Sequence, residues 1–267
     1  FEPFFPEKVN LPWNCFRLCL SPESSAPDLE TVIERIIRGR VRTAWTDESN
    51  RPGVYRRRLI KSIRAGLFLK WLHSRFPFLK IVFIMRHPCA VVSSQIRDAY
   101  FRYTKEDLLS ILQEDERAGG YLGPFAERIV KARSQIEIHA FIWAIENYIP
   151  LRQFGNGELL LLFYEDLCRE PERELSRLFG FLGLSLRPEA FAACERISST
   201  ARSHSAILKQ ASSVDAWRDH LDRSDIMEIS RIAGHFGLDR IYGDGSMPCA
   251  NAACEMLRAG SHPACPG

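Results

Sequence analysis

The sequence predicts an α/β protein in which a parallel β-sheet is flanked by helices. Three observations carry that expectation. Two compact apolar runs, KIVFIM at 80–85 and ELLLLFYEDL at 158–167, have the length and β-rich content of buried strands. Each is followed at once by a helical pattern, and helical patterns fill the interval between them. The 267 residues are 46% hydrophobic and 26% charged, which suits a folded domain with a sizeable core and excludes a disordered chain.

Taken in order, residues 1–28 are rich in Pro and aromatic residues and read as irregular structure. Asp28 precedes LETVIERIIRGRVR, where Leu29, Val32, Ile33, Ile36 and Ile37 follow helical spacing. TDESNRPG at 46–53 reads as a loop. A second helix is expected over 62–75, with Leu67, Leu69, Trp71 and Leu72, ending at the Phe76-Pro77 pair. KIVFIM then reads as a strand buried on both faces. Pro88 suits the first turn of a helix that runs through Ser93 and Ser94. Residues 105–117 and 125–150 read as helices, the latter ending at Pro150. After the second strand, Pro171 opens ERELSRLFGFLG, with Leu175, Leu178, Phe179 and Leu182 on one face. No internal repeat or low-complexity linker interrupts this order. Residues 1–246 are expected to form one α/β domain, and 247–267, which contain Cys, Pro and Gly, a disordered tail.

Composition narrows the function classes. Lys plus Arg is 36 against 33 for Asp plus Glu, a net charge of only +3, so a nucleic-acid partner is not expected. No apolar run reaches the roughly 18 residues of a membrane span. Residue 1 is Phe, and FEPFFPEKVN lacks the basic start and apolar middle of a signal peptide. The chain is expected to begin within a longer protein or after processing. The eight cysteines, at 15, 19, 89, 168, 194, 249, 254 and 265, do not have the spacing of a short secreted framework and are expected to be free thiols. Cys249, Cys254 and Cys265 are the expected exceptions. His73, His87 and His139 have no ligand spacing with acids or cysteines, so no metal is implied.

In an open parallel sheet, ligands sit beyond the carboxyl ends of the strands. The first strand delivers Arg86 to that edge, and the second delivers Tyr164, Glu165 and Asp166. Arg86 at the strand end and Ser94, eight positions on in the helix, are placed to meet one anion. A guanidinium offers a phosphate two directed hydrogen bonds, and a hydroxyl adds a third. The same residues also fit an arginine paired with a structural acid and a serine on a helix surface.

FPFLKIVFIMRHPCAVVSSQ and LLFYEDLCREPERELSRLFGFLGL, in that order, resemble the sulfotransferase superfamily, which uses 3′-phosphoadenosine 5′-phosphosulfate (PAPS). The likeness covers roughly residues 58–243 and is closer to the carbohydrate-modifying branch. It implies a P-loop-type α/β fold, with Arg86 and Ser94 on the nucleotide's 3′-phosphate and Tyr164 in its adenine pocket. LIKSIRAGLFLKWLHSRFP resembles the stretch before the phosphate strand and makes Lys61 the cation near the transferred group. FEPFFPE resembles the segment that faces the acceptor and makes Glu2 the proton acceptor, with Glu7 as the nearby competitor. SAILKQASSVDAWRDHL resembles a late loop closing over the nucleotide. There the family's Arg-Lys-Gly is replaced by Lys209, Gln210, Ala211, Ser212 and Ser213, so Lys209 becomes the phosphate contact. Trp217 is expected to pack its helix, with Arg218 and His220 on the exposed side.

The family's Gly-rich phosphosulfate loop does not occur in the chain, and the likeness places it upstream of Phe1, so the fold is expected to be N-terminally truncated. The implied activity is transfer of a sulfonate from PAPS to a hydroxyl or amine, with a glycan as the favoured acceptor. Arg35, Arg38, Arg40 and Arg42, with Arg56, Arg57 and Arg58, form a basic region suited to an anionic glycan, or simply a solvated helix face. The rival readings are a catalytically inactive nucleotide-binding protein and a P-loop kinase. The second lacks a Walker loop.

Overall fold

A computed structural model describes residues 18–42, 57–97, 103–194 and 214–260. In chain order the helices and strands are α1 Pro27–Ile37, α2 Leu69–Arg75, β1 Val82–Met85, α3 Pro88–Arg97, α4 Lys105–Arg117, α5 Ala126–Lys131 and α6 Gln135–Gln153. They continue with β2 Leu160–Phe163, α7 Tyr164–Arg169, α8 Pro171–Leu182, α9 Pro188–Cys194, α10 Arg223–His235 and α11 Ala250–Gly260. The chain gathers into two compact units, one of Phe1–Phe78 with Leu109–Pro124 and one of Leu79–Leu108 with Phe125–Gly267.

In the first unit, Pro27 sits at the start of α1, where its missing N–H costs nothing, and Asp28 and Glu30 complement the helix dipole. Leu29, Ile33 and Ile36 are its buried stripe. The helix stops at Gly39, whose φ of 66° is left-handed and suits glycine. In α2, Trp71 is fully buried and donates its indole N–H to the Ser24 carbonyl at 2.8 Å. Asp115, also buried, accepts the Leu122 N–H at 2.7 Å and so ties the turn that follows α4.

The second unit holds the sheet. β1 and β2 run parallel, with Val82 opposite Leu160 and Met85 opposite Phe163. Leu161, Leu162 and Phe163 are buried, as the apolar run requires. β1 departs from expectation: Ile84 is 56% exposed, so among the described residues the strand is covered on one face only.

Helix α6 is the spine of this unit. Ser134 accepts the Glu137 N–H at 3.1 Å while the Glu137 carboxylate accepts the Ser134 N–H at 2.8 Å, a reciprocal cap that fixes the start. Ile138, Phe141, Ile142, Ile145 and Ile149 are all buried, because α3, α10 and α11 pack around it. Pro150 does not end the helix. It lies inside it, and Phe154 N–H donates to the Pro150 carbonyl at 3.0 Å just past the end. The expected 125–150 helix is instead broken upstream, where Ala132 leaves helical geometry. Ala250–Gly260, placed by its composition in a disordered tail, forms α11, whose Ala252, Ala253, Met256 and Leu257 are buried.

Candidate functional site

The β1–β2 register builds the site. Continued one and two residues past Met85 and Phe163, it sets Arg86 beside Tyr164 and His87 beside Glu165. Both contacts are made. The Arg86 guanidinium lies 4.6 Å from the centre of the Tyr164 ring, on its face. The His87 N–H donates to Glu165 Oε1 at 2.8 Å. β2 passes directly into α7 at Tyr164, so Tyr164, Glu165 and Asp166 form the first turn of that helix and not the end of a strand.

Arg86 is partly buried, and its Nε is fully enclosed without a hydrogen-bond partner. Among the described residues no carboxylate forms an ion pair with it. Glu165, whose carboxyl feels the Arg86 charge, is already engaged on both oxygens, by the His87 N–H and by the Tyr242 O–H at 2.9 Å. A guanidinium held in place, stacked on one face and left without a counter-ion is prepared to take an oxyanion.

Below Arg86 lies an enclosed polar network. Glu165 and Tyr242 are 1% and 2% exposed. Burial raises the Glu165 carboxyl above the ordinary carboxylate range, against the lowering pull of its two hydrogen bonds. Burial likewise drives the Tyr242 hydroxyl upward, followed by the charge of Glu165. His87 stacks on Trp217 at 4.7 Å with the rings 10° from parallel, and meets Tyr242 edge-on at 5.1 Å. Its Nδ1 accepts the Cys89 N–H at 3.2 Å, which assigns the proton to Nε2. That Nε2 is buried and has no partner in hydrogen-bond geometry, although the Gly245 backbone lies near it. Burial lowers the His87 pKa to about 4, so the ring is neutral at pH 7. Arg218 covers the outer face of Trp217 at 4.3 Å and is itself exposed, as is His220. Trp217 sits on the short turn Ala216–Asp219 and packs, as expected of it, without reaching the surface.

The remaining sequence candidates are distributed unevenly. Ser94 is exposed on α3, six residues after Pro88. Tyr164 is partly buried, and burial with the neighbouring Cys168 pushes its hydroxyl up to about 12. Lys61 is exposed in the first unit, in an extended stretch before the turn where Ser62 Oγ accepts the Arg64 and Ala65 N–H groups. Glu2, Glu7 and Lys209 lie outside the described residues. Cys19, Cys89, Cys168, Cys249 and Cys254 are free thiols. Among the described residues, no group of three His, Cys, Asp or Glu side chains is arranged to hold a metal ion. None of their helices is long and apolar enough to cross a membrane.

Sequence reasoning placed Arg86, Tyr164 and Glu165 at one edge but missed Trp143 and Tyr242. Trp143, in α6, donates its indole N–H to the Arg86 carbonyl at 3.1 Å. Nothing in local spacing joins these residues to Arg86. An apolar helix carrying a Trp whose N–H needs a partner was the one available signal.

Over 199 residues the chain is 25% identical to carbohydrate sulfotransferase 2 of Homo sapiens, and equally to that of Mus musculus. These matches cover 66% of this chain and 37% of each relative, so the chain spans little more than a third of the length of the curated relatives it matches. Among solved structures, a sulfotransferase domain from the curacin biosynthetic pathway is similar, with TM-score 0.43 and 18% identity over 78% of this chain and 72% of that chain. The sulfotransferase family matches residues 20–188, a span that includes Lys61, Arg86, Ser94 and Tyr164. With the match extending over more than half of its length and enclosing the strand-end arginine, the chain belongs to the sulfotransferase family.

Proposed function

We propose that the chain binds PAPS and transfers its sulfonate to a hydroxyl or amine, on a carbohydrate acceptor. One observation carries the donor half: Arg86 is a strand-end guanidinium with an enclosed, unpartnered Nε and no ion pair among the described residues. Arg86 and Ser94 would hold the 3′-phosphate, Tyr164 would contact the adenine, and Lys209 would add a phosphate contact. The product left in this site is 3′-phosphoadenosine 5′-phosphate.

In the transfer itself, the acceptor heteroatom bonds to sulfur as the bond from sulfur to the bridging phosphate oxygen breaks. The acceptor proton goes to a base, for which Glu2 is the proposed residue. The electron pair of the broken bond stays on the leaving phosphate, where Lys61 is the proposed cation. The carbohydrate preference rests on the named activity of the curated relatives and on the basic stretch around α1. Arg38 in that stretch pairs with Glu34 at 2.7 Å, and the exposed Arg35, Arg40, Arg57 and Arg58 are the proposed acceptor-facing candidates.

The test is calorimetry of Arg86→Ala with 3′,5′-bisphosphoadenosine and with 5′-AMP. Two charge-assisted hydrogen bonds are worth about 3 kcal/mol, so affinity for the bisphosphate should fall roughly 100-fold and that for 5′-AMP by less than about 3-fold. Equal weakening of both ligands would remove the 3′-phosphate assignment. Transfer of labelled sulfonate from PAPS to a glycan panel, by this chain and by one extended upstream of Phe1, tests the second half. Nucleotide binding without transfer by either chain to any acceptor would overturn it.

A further inference from the structure

The side chain of Arg86 makes no ion pair among the described residues, and besides its stacking on Tyr164 its direction depends on the backbone that carries it. The Arg86 carbonyl and the His87 N–H belong to one peptide unit, and each is held by a separate side chain. Trp143 donates to the carbonyl at 3.1 Å from α6, and Glu165 accepts the N–H at 2.8 Å from α7. A peptide plane gripped at both its polar atoms cannot rotate, which fixes ψ of Arg86 and φ of His87. The second oxygen of Glu165 accepts the Tyr242 O–H at 2.9 Å, from a residue 77 positions further on. The Tyr242 ring packs on Trp143 at 6.2 Å and on His87 at 5.1 Å, so the same residue braces both grips.

We propose that Glu165, braced by Tyr242, is a positioning residue that aims Arg86 at its anion through the His87 N–H. The inference rests on the reading of Arg86 as the 3′-phosphate ligand and deepens it. Glu165 touches neither donor nor acceptor. It acts by keeping the strand-end peptide in one orientation, so that the guanidinium meets the phosphate without first being ordered. Its second oxygen makes the C-terminal segment part of the donor site, although that segment contributes no side chain to the anion here.

The experiment is a double-mutant cycle on the 267-residue chain, with calorimetry of 3′,5′-bisphosphoadenosine and 5′-AMP. Glu165→Ala should weaken the bisphosphate roughly 10-fold and 5′-AMP less than about 2-fold, as one charge-assisted hydrogen bond is lost to misaim. Glu165→Gln retains an oxygen for the His87 N–H and turns its amide towards the Tyr242 oxygen, so it should restore most of the affinity. In an Arg86→Ala background, Glu165→Ala should have no further effect on the bisphosphate. Tyr242→Phe removes only the brace and should reproduce the same pattern at smaller size, which keeps the test open if Glu165→Ala does not fold. Equal loss in both backgrounds, or equal loss for both nucleotides, would make Glu165 merely structural and overturn the proposal. If Arg86→Ala itself shows no preference between the nucleotides, the 3′-phosphate reading fails and the proposal falls with it. A selective Arg86→Ala with an inert Glu165→Ala sinks the proposal alone.

Discussion

Replacing Tyr164 by Leu removes the aromatic face under the Arg86 guanidinium while leaving apolar bulk in its place. The contact is 4.6 Å from the ring centre and partly buried. A cation–π pair of that kind is worth about 1–2 kcal/mol, because the ring's negative face sits in a partly desolvated setting. Tyr164→Leu should therefore weaken 3′,5′-bisphosphoadenosine binding by roughly 5–30-fold. Tyr164→Phe keeps the ring. The hydroxyl it removes is held neutral, with its pKa pushed up to about 12, so it supplies no charge at pH 7. Affinity in that variant should stay within about 2-fold of the parent. Calorimetry at pH 7 with both variants is decisive. If Phe falls as far as Leu, the hydroxyl is the working group and the stacking argument is wrong. An unaffected Tyr164→Leu would show that the ring does not hold Arg86.

Other expectations concern stability and pH. Lys105 Nζ donates to the carbonyls of Ile129, Val130 and Ala132 and so caps the end of α5, and Lys105→Met should cost about 1–2 kcal/mol in urea denaturation. Ser134→Ala removes half of the reciprocal cap on α6 and should cost about 1 kcal/mol, with an unchanged midpoint counting against the cap. Burial lowers His87 and His139 to about 4 from 6.5, so the unfolded chain takes up protons first as pH falls. The stability these rings contribute is complete above about pH 6.5 and lost towards pH 4, and His139→Gln should make that loss shallower, read from denaturation midpoints. Glu165 acts in the opposite sense. Its raised pKa makes the folded protein the better proton acceptor as pH falls, so Glu165→Gln should steepen the acid loss, read from denaturation midpoints across the same range.

Both strands were legible because their apolar runs are short, uninterrupted and β-rich, and the register then carried Arg86 to Tyr164 without further information. The exposure of Ile84 was not legible, since a sequence run cannot say how many neighbours a strand has. Pro150 was over-read as a terminator: tertiary packing around α6 carries the helix past it. The true start was written plainly as Ser134 followed three residues later by Glu137. The spacing of Ala252, Ala253, Met256 and Leu257 fits one helix face, but the Gly, Pro and Cys that flank it have the composition of a loop. The Glu165–Tyr242 pair is the opposite case, because no local rule couples residues so far apart in the chain.

That separation also orders events in time. The His87–Glu165 hydrogen bond closes 78 residues, and the Tyr242–Glu165 bond closes a further 77. Closing a loop of that size costs about 4 kcal/mol in chain entropy before any contact is gained. Helix α6 needs no such closure: its capping box and successive turns form from neighbours in sequence. The spine should thus appear early in refolding, with the sheet pairing after it and Tyr242 arriving last. Until then the two apolar strands stand unpaired, which makes rapid dilution at high protein concentration prone to aggregation and slow, dilute refolding more productive. The turn carrying Arg86 should then form late, and if it holds the proposed nucleotide, adding 3′,5′-bisphosphoadenosine at that stage should draw the final step towards completion.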